Sequence, residues 1–262
     1  MASETSPGMM EAAGHFARRI DRASWFGTDA LAQIELRKST WTPIELPPVE
    51  ADRPRLERCV IVDYELGNVL SIATALGRVG VRATISRDPD AIAGAHALVL
   101  PGVGAFAKAM DNLRRLRLEA PLRGAVEERR VPVLGICLGM QIMARSSDEH
   151  GHHAGLGWLE MDVTRLSATP LPHVGWNQIV PVRDDGFAEG ISPGTSLYFD
   201  HGYAALSTGG PCEIATCEYG GRFVAVARNA NIFATQFHPE KSQNAGQRLL
   251  SNFAGWAAEQ RA

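Results

Sequence analysis

Short apolar runs alternate with segments of helical spacing between residues 59 and 145, and this alternation restricts the fold more than any other feature. The runs are rich in β-branched residues and are typical of strands buried on both faces of a parallel sheet. They are CVIVDY (59–64), VRATIS (81–86), HALVLP (96–101) and VPVLGI (131–136). The helical segments are NVLSIATALGRVG, AFAKAMDNLRRL, LEAPLRGAVEER and LGMQIMAR. The chain is therefore predicted to be an α/β protein with an open, mostly parallel sheet flanked by helices.

From Trp158 onward the sequence pattern changes, because strand-like segments no longer alternate with helical ones. Six strand-like segments are separated by glycine, proline and asparagine: WLEMDVTRL, HVGWNQIVPV, SLYFDHGYAAL, CEIATCEY, RFVAVARN and NIFATQF. This pattern predicts a C-terminal half rich in antiparallel strands. Residues 242–260 follow as an amphipathic helix, with Leu249, Leu250, Phe253 and Trp256 on one face.

Residues 1–57 differ from the rest of the chain. EAAGHFARRIDRASW is compatible with a short helix, but WTPIELPPVEADRPRLER is rich in proline and charge and has no sustained periodicity. We predict an N-terminal extension over 1–57, partly linker or disordered, followed by one domain over 58–262.

Composition excludes several classes of function. The net charge is -3 and the basic residues are dispersed, so nucleic acid is not an expected partner. No apolar run approaches the roughly 18 residues that span a bilayer, and no signal peptide is recognised, so a cytoplasmic protein without membrane contact is expected. The four cysteines form neither a disulfide framework nor a zinc pattern.

GICLGMQ (135–141) places Cys137 between two glycines directly after an apolar strand. Gly135 and Gly139 allow the close backbone approach and unusual dihedrals of a sharp strand-to-helix turn. Such a turn puts the thiol at a helix N-terminus, where the partial positive charge favours the thiolate. It is the cysteine counterpart of the nucleophile elbow G-x-S-x-G. The heptapeptide alone leaves two interpretations open, since a cysteine after a strand is also a common core residue.

QFHPEKS (236–242) supplies the base that a nucleophilic cysteine requires. His238 follows the apolar strand NIFATQF, which places it at the edge of a sheet. Pro239 favours extended geometry at His238, so that Glu240 can accept an imidazole N–H. A Cys137, His238, Glu240 triad is sterically reasonable, although HPE by itself is also compatible with an ordinary strand exit.

LPGVGAF (100–106) is a second strand exit, with two glycines and no charge. Its backbone N–H groups are predicted to approach a developing oxyanion, with a plain tight turn as the alternative. It is not a nucleotide-binding fingerprint, because GVG lacks the third glycine. His150, His152 and His153 lie close together in a glycine-rich segment predicted to be a solvated loop, so no metal site is predicted.

Together these motifs resemble the class I (triad) glutamine amidotransferase family over roughly residues 59–260. Within it, the chain is similar to the glutaminase subunits of imidazole glycerol phosphate synthase. The narrower resemblance rests on DYELGNVLS (63–71), PGVGAF (101–106), LPHVGWNQI (171–179) and FHPEKS (237–242).

The resemblance implies that Cys137 attacks the side-chain amide of L-glutamine, His238 transfers the proton to ammonia, and Glu240 holds His238. The amides of Val103 and Leu138 would stabilise the oxyanion, and no cofactor or metal is implied. The residues matched to the oxyanion and glutamine site are Gly102, Val103, Gly104, Leu138, Gln141, His201, Gly202 and Tyr203.

The resemblance also implies that ammonia passes to a separate (β/α)8 barrel cyclase subunit, with which the chain forms a heterodimer, to make imidazole glycerol phosphate for histidine biosynthesis. The residues matched to positions near that interface, with surface packing as the alternative for each, are His173, Trp176, Asn177, Tyr198 and Lys241.

The chain departs from the family pattern at FDHGY (199–203), where F-V-H-S/T-Y is usual. Asp200 adds a charge and Gly202 lacks a hydroxyl, so glutamine affinity or coupling to the partner is expected to differ. Two alternatives stay open: a glutaminase that supplies ammonia to a nucleotide-sugar or polysaccharide pathway, and a non-catalytic scaffold subunit.

Overall fold

The computed structural model describes residues 56–183, 186–187, 189–192 and 194–260. The short helix and the linker predicted within 1–57 fall almost entirely on residues 1–55 and so lie outside the described residues. The domain boundary after residue 57 stays a prediction.

Fourteen strands and six α-helices make up the described part of the chain. The strands are β1 (Cys59–Val62), β2 (Ala83–Ser86), β3 (Ala97–Leu100), β4 (Val133–Ile136), β5 (Ala144–Ser147), β6 (His153–Ala154), β7 (Leu159–Arg165), β8 (His173–Gln178), β9 (Val180–Pro181), β10 (Ser196–His201), β11 (Tyr203–Ala205), β12 (Glu213–Glu218), β13 (Arg222–Asn229) and β14 (Ile232–Thr235). The helices are α1 (Val69–Arg78), α2 (Pro89–Ala93), α3 (Phe106–Arg115), α4 (Glu119–Arg123), α5 (Leu138–Ile142) and α6 (Gln243–Glu259). A π-helical turn, Gly124–Glu128, follows α4, and a 3-10 turn, Pro239–Lys241, precedes α6.

The largest sheet has the order β2-β1-β3-β4-β14-β13-β12-β9. Its first five strands are mutually parallel, and the pairs from β14 to β9 are antiparallel. Two smaller sheets, β10-β8 and β11-β7-β5-β6, complete the fold. The predicted class, a mostly parallel α/β sheet followed by antiparallel strands, is confirmed.

The central strands β1, β3, β4 and β14 are buried along their whole length, which explains their unbroken apolar sequences. Successive residues of β1 point to opposite faces, so Ile61 packs in one hydrophobic cluster and Val62 in another. The sheet therefore separates two cores. Helix α6 covers one of them with Leu249, Leu250 and Phe253, as its spacing predicts, while Trp256 is only partly buried.

Three segments differ from the sequence-based expectation. LGMQIMAR is helical only as far as Ile142, and β5 begins at Ala144. SLYFDHGYAAL is divided at Gly202 into β10 and β11, which belong to different sheets. HVGWNQIVPV is divided at Ile179 into β8 and β9, which likewise belong to different sheets.

The early end of α5 follows from its burial and from tertiary hydrogen bonds. Every residue from 138 to 144 is buried, so no polar face marks where the helix stops. The carbonyl groups of Ile142 and Met143 accept hydrogen bonds from Leu156 and Trp158, which draws the chain into strand pairing. Among the described residues, no helix is both long and apolar enough to cross a membrane.

Candidate active site

The carboxyl ends of three adjacent parallel strands meet at one edge of the largest sheet. Cys137 directly follows β4, residues 101–104 follow β3, and His238 lies three residues after β14. Ligands of open α/β sheets bind at this edge, outside the carboxyl ends of the strands. The three predicted motifs therefore converge on one place.

Cys137 occupies a strained turn. Its backbone has φ 53° and ψ -107°, a combination that a residue with a Cβ atom adopts at a cost. Its N–H donates to the Thr235 carbonyl at 2.7 Å, which ties the turn to β14. The unusual dihedrals thus lie on the cysteine itself and not on the neighbouring glycines.

Gly135 and Gly139 provide space rather than dihedral freedom. A Cβ atom on Gly135 would lie 2.7 Å from the Met143 sulfur. A Cβ atom on Gly139 would lie 1.9 Å from the Leu100 carbonyl oxygen. Both glycines are required because the elbow packs directly against its neighbours.

The helix that follows Cys137 is shorter than the sequence predicts. Helix α5 has five residues, so its aligned peptide dipoles contribute less at the thiol than a long helix would. The Cys137 sulfur instead lies between two polar groups. It is 3.8 Å from the Asp200 carbonyl oxygen and 3.6 Å from the Gln236 amide nitrogen.

His238 and Glu240 form a buried pair. The His238 Nδ1 atom is 2.7 Å from the Glu240 Oε1 atom, and both side chains are 2% exposed. His238 is extended, with φ -100° and ψ 96°, as the following proline predicts. Its second ring nitrogen, Nε2, is buried and makes no hydrogen bond of conventional geometry with the described residues.

The environment of His238 favours the imidazolium form. Burial lowers its pKa, but the nearby Cys137 sulfur and the hydrogen-bonded Glu240 carboxylate outweigh burial and raise the pKa above its usual value. A ring that holds its proton beside a sulfur atom and a carboxylate has the arrangement of a general acid and base.

The predicted oxyanion segment packs against the elbow. A Cβ atom on Gly102 would lie 2.4 Å from the Leu138 Cβ atom and 2.7 Å from the Gly139 nitrogen, so the two segments touch. Gly104 has φ 128°, a backbone conformation available mainly to glycine. Within the described part of the chain, the amides of Val103 and Leu138 donate to no protein acceptor.

The other predicted substrate-site residues are joined by hydrogen bonds. The Gln141 Nε2 atom and the His201 Nδ1 atom both donate to the Tyr203 carbonyl oxygen, at 2.8 and 2.9 Å. Gly202 lies between His201, the last residue of β10, and Tyr203, the first residue of β11. The Gln141 Nε2 atom also lies 3.2 Å from the Gln236 Oε1 atom, so both of its N–H groups are used and its oxygen is the group left for a ligand.

The predicted interface residues divide into a buried and an exposed group. His173 is 4% exposed and lies between the rings of Phe199 and Tyr219, so its side chain contributes almost nothing to the protein surface. Its Nδ1 and Nε2 atoms lie 3.2 Å from His201 and 3.3 Å from Asn177. Burial lowers the pKa of His173 to about 4 and, with smaller contributions from its neighbours, that of His201 to about 3.

Trp176, Tyr198 and Lys241 form the more accessible group. The Trp176 ring is 48% exposed and lies 5.9 Å from the Tyr198 ring. The Lys241 ammonium is 5.3 Å from the same Tyr198 ring and 3.7 Å from the Asp200 carboxylate. The departure at Asp200 thus gives Lys241 an ion-pair partner within the chain.

Gln236 is the residue that sequence reasoning missed. It belongs to the motif QFHPEKS, and its fully buried side chain contacts the Cys137 sulfur. The available signal was a polar side chain at the end of an otherwise apolar strand.

Cys59, Cys212 and Cys217 take no part in the hydrogen bonds described above. All four cysteines are free and buried. Burial raises the pKa of Cys59 and of Cys217 to about 12, and it also raises that of Cys212. No cluster of three or more His, Cys, Asp or Glu residues suited to a metal ion occurs within the described ranges.

Comparison with known proteins gives a consistent family. Residues 60–255 match the family model described as glutamine amidotransferase class-I. The chain is 46% identical to the imidazole glycerol phosphate synthase subunit HisH of Symbiobacterium thermophilum, over 76% of this chain and 93% of that protein. It is 41% identical to the HisH subunit of Aquifex aeolicus, over 75% of this chain and 95% of that one.

Solved structures share the fold at lower sequence identity. A putative GMP synthase subunit from Thermoplasma acidophilum superposes with a TM-score of 0.60 at 20% identity, over 79% of this chain and 96% of that one. A structure described as a glutamine amidotransferase gives a TM-score of 0.60 at 23% identity, over 75% and 98% of the two chains.

Proposed function

The chain belongs to the class I glutamine amidotransferase family, and we propose that it is the glutaminase subunit of imidazole glycerol phosphate synthase. It hydrolyses glutamine to glutamate and ammonia, which serves histidine biosynthesis. The observation that carries the reaction is the buried His238–Glu240 pair, at 2.7 Å, coupled to Cys137 on a strained turn. The acceptor is inferred from the named HisH relatives.

In the first half of the reaction, the Cys137 thiolate attacks the side-chain amide carbon of glutamine. The carbonyl oxygen takes up negative charge, which the Val103 and Leu138 amides are positioned to stabilise, since they have no protein acceptor among the described residues. The tetrahedral intermediate collapses when the His238 Nε2–H protonates the leaving nitrogen. Ammonia departs and the glutamyl group stays on sulfur as a thioester.

In the second half, water releases glutamate. His238, now neutral, takes a proton from the attacking water, and collapse of the second tetrahedral intermediate expels the Cys137 thiolate. Glu240 accepts the Nδ1–H throughout, so the proton exchanged with substrate is always on Nε2. The site residues therefore complete the cycle without a cofactor.

The second subunit is a (β/α)8 cyclase that receives the ammonia. Trp176, Tyr198 and Lys241 are the candidates for its docking surface, because they lie together and Tyr198 approaches the His238 ring at 6.5 Å. His173 is buried, and its hydrogen bond with Asn177 connects it to the more exposed residues of this face.

The proposal is tested by mixing the purified chain with its cognate cyclase and supplying glutamine and the phosphorylated ribulosyl substrate. We expect glutamate and imidazole glycerol phosphate to form in equal amounts. A Cys137→Ala chain should form neither from glutamine, whereas added ammonium salt should restore the cyclase reaction in the same complex.

Two outcomes contradict different parts of the proposal. Glutamate formation without imidazole glycerol phosphate, in a complex that accepts ammonium salt, would contradict transfer to this acceptor. Unchanged glutaminase activity in the Cys137→Ala complex would contradict the role of Cys137 as the nucleophile. A diazo-ketone analogue of glutamine should label Cys137 and spare Cys59, Cys212 and Cys217, as judged by peptide mass spectrometry.

A further inference from the structure

Gln236 contacts the reacting sulfur from a fully buried position. Gln236 is the first residue after β14. Its backbone N–H donates to the Ala225 carbonyl at 2.9 Å, and this hydrogen bond holds the main chain in place. The Nε2 atom lies 3.6 Å from the Cys137 sulfur, and the Oε1 atom lies 3.2 Å from the Gln141 Nε2 atom.

The hydrogen bonds around Gln236 fix which end of its amide faces the sulfur. The Tyr203 carbonyl only accepts, so the group of Gln141 that lies 2.8 Å from it is the NH2 group. The same NH2 group reaches Gln236, which therefore presents its oxygen to Gln141. The Gln236 NH2 group is left facing Cys137.

A second set of hydrogen bonds ends on the same Tyr203 carbonyl. The His201 Nδ1 atom also lies 2.9 Å from the Tyr203 carbonyl and must donate to it. His201 and His173 are both neutral at pH 7, because burial lowers the pKa of each. In a neutral ring one nitrogen donates and the other accepts. His173 therefore donates to His201, and the Asn177 amide donates to His173.

The two polar neighbours of the sulfur favour opposite protonation states. A thiol can donate to the Asp200 carbonyl oxygen, 3.8 Å away, whereas a thiolate has no proton to give. The Gln236 N–H group can only donate, and a donor interacts more strongly with an anionic acceptor than with a neutral one.

We propose that Gln236 is a further catalytic residue, whose side-chain amide donates to the Cys137 sulfur and favours the thiolate that attacks glutamine. The inference rests on the proposed role of Cys137 as the nucleophile. It assigns to Gln236 the stabilising function that the short helix α5 supplies only in part.

Alkylation of Cys137 by iodoacetamide tests the proposal on the isolated chain, without glutamine or partner. Peptide mass spectrometry follows the rate at Cys137 as a function of pH. Gln236→Glu keeps the shape and the acceptor for Gln141 but replaces the donor with a carboxylate. We expect the midpoint of its alkylation profile to rise by about one pH unit, which lowers the thiolate fraction about tenfold at pH values below both midpoints. Gln236→Leu removes the donor without adding charge and should produce a smaller rise.

Asn231→Leu is the matched control. Asn231 is also a buried amide, and it donates to the Val126 and Val131 carbonyls away from the site. Its loss should lower the melting temperature and leave the Cys137 profile in place. A Gln236→Leu or Gln236→Glu profile that coincides with the parent's would overturn the proposal, whatever the complex does with ammonia.

A measurement that needs no Gln236 variant covers the case in which those variants fail to fold. In the chain labelled with nitrogen-15 glutamine, one side-chain amide should change chemical shift with the same midpoint as Cys137 alkylation. That change should be absent from Cys137→Ala. If no glutamine amide titrates with Cys137, the proposal is wrong.

Discussion

At the scale of single residues, the conformation of Cys137 determines how the sulfur is presented. Its φ of 53° with ψ of -107° turns the chain sharply at the carboxyl end of β4, where the buried side chain contacts Asp200 and Gln236. The surrounding contacts hold this conformation, since a residue with a Cβ atom does not favour it on its own. The Cys137 sulfur is thus positioned at some cost in stability.

Substitutions at Cys137 measure the cost of its strained backbone in unfolding free energy, separately from its role in the reaction. We expect Cys137→Gly to be more stable than Cys137→Ala by about 1 kcal/mol in urea unfolding, because glycine accepts positive φ without strain. Neither variant should produce ammonia. Equal stability of the two would show that the turn is not strained.

At the scale of elements, the same residue type has opposite roles in α1 and α5. Gly77, near the end of α1, has open space around the position of a Cβ atom, whereas a Cβ atom on Gly139 in α5 would meet the Leu100 carbonyl oxygen at 1.9 Å. The contact at Gly139 joins the elbow to the strand that leads into the oxyanion segment. Close packing between α5 and β3 is therefore what aligns the two halves of the site.

A pair of alanine substitutions checks this contrast. Gly139→Ala should destabilise the chain by about 3 kcal/mol or more, because backbone atoms cannot move aside as a flexible side chain would. Gly77→Ala should stabilise it by about 0.5–1 kcal/mol through helix propensity. Thermal and chemical unfolding of both variants gives the comparison, and effects of the same sign would contradict it.

The elements also show where sequence reasoning reaches its limit. The parallel strands were predictable because each is short, β-branched and buried on both faces. The end of α5 was not, since residues 138–144 are all buried and only the Leu156 and Trp158 amides capture its last carbonyls. The pair His238 and Glu240 was predictable from local spacing around Pro239. The contact of Gln236 was not, because it depends on the distant Tyr203 carbonyl.

At the scale of the whole molecule, two buried neutral histidines link the site to the pH dependence of folding. The pKa of His173 is about 4 and that of His201 about 3, both below the roughly 6.5 of an exposed imidazole. As the pH falls below about 6.5, the unfolded chain binds protons that the folded chain does not. Stability therefore decreases on acidification, by about 2 kcal/mol for each histidine at pH 5.

The slope of stability against pH tests this contribution. His201→Gln should have a shallower dependence between pH 7 and pH 5 than the parent, even though it is less stable at pH 7. His152→Gln, at an exposed position, is the matched control for replacing a histidine by glutamine. Urea unfolding at several pH values gives both slopes, and an unchanged slope for His201→Gln would contradict the assignment of a neutral buried ring.

The burial of Cys59, Cys212 and Cys217 makes the number of reactive thiols a measure of how much of the chain is folded. A thiol reagent at neutral pH should consume one equivalent in the native protein and four once it unfolds. Burial raises the pKa of these three thiols, whereas Cys137, although also buried, is the proposed nucleophile. The ratio of the two titres measures the competent fraction of any preparation, before a partner or substrate is added.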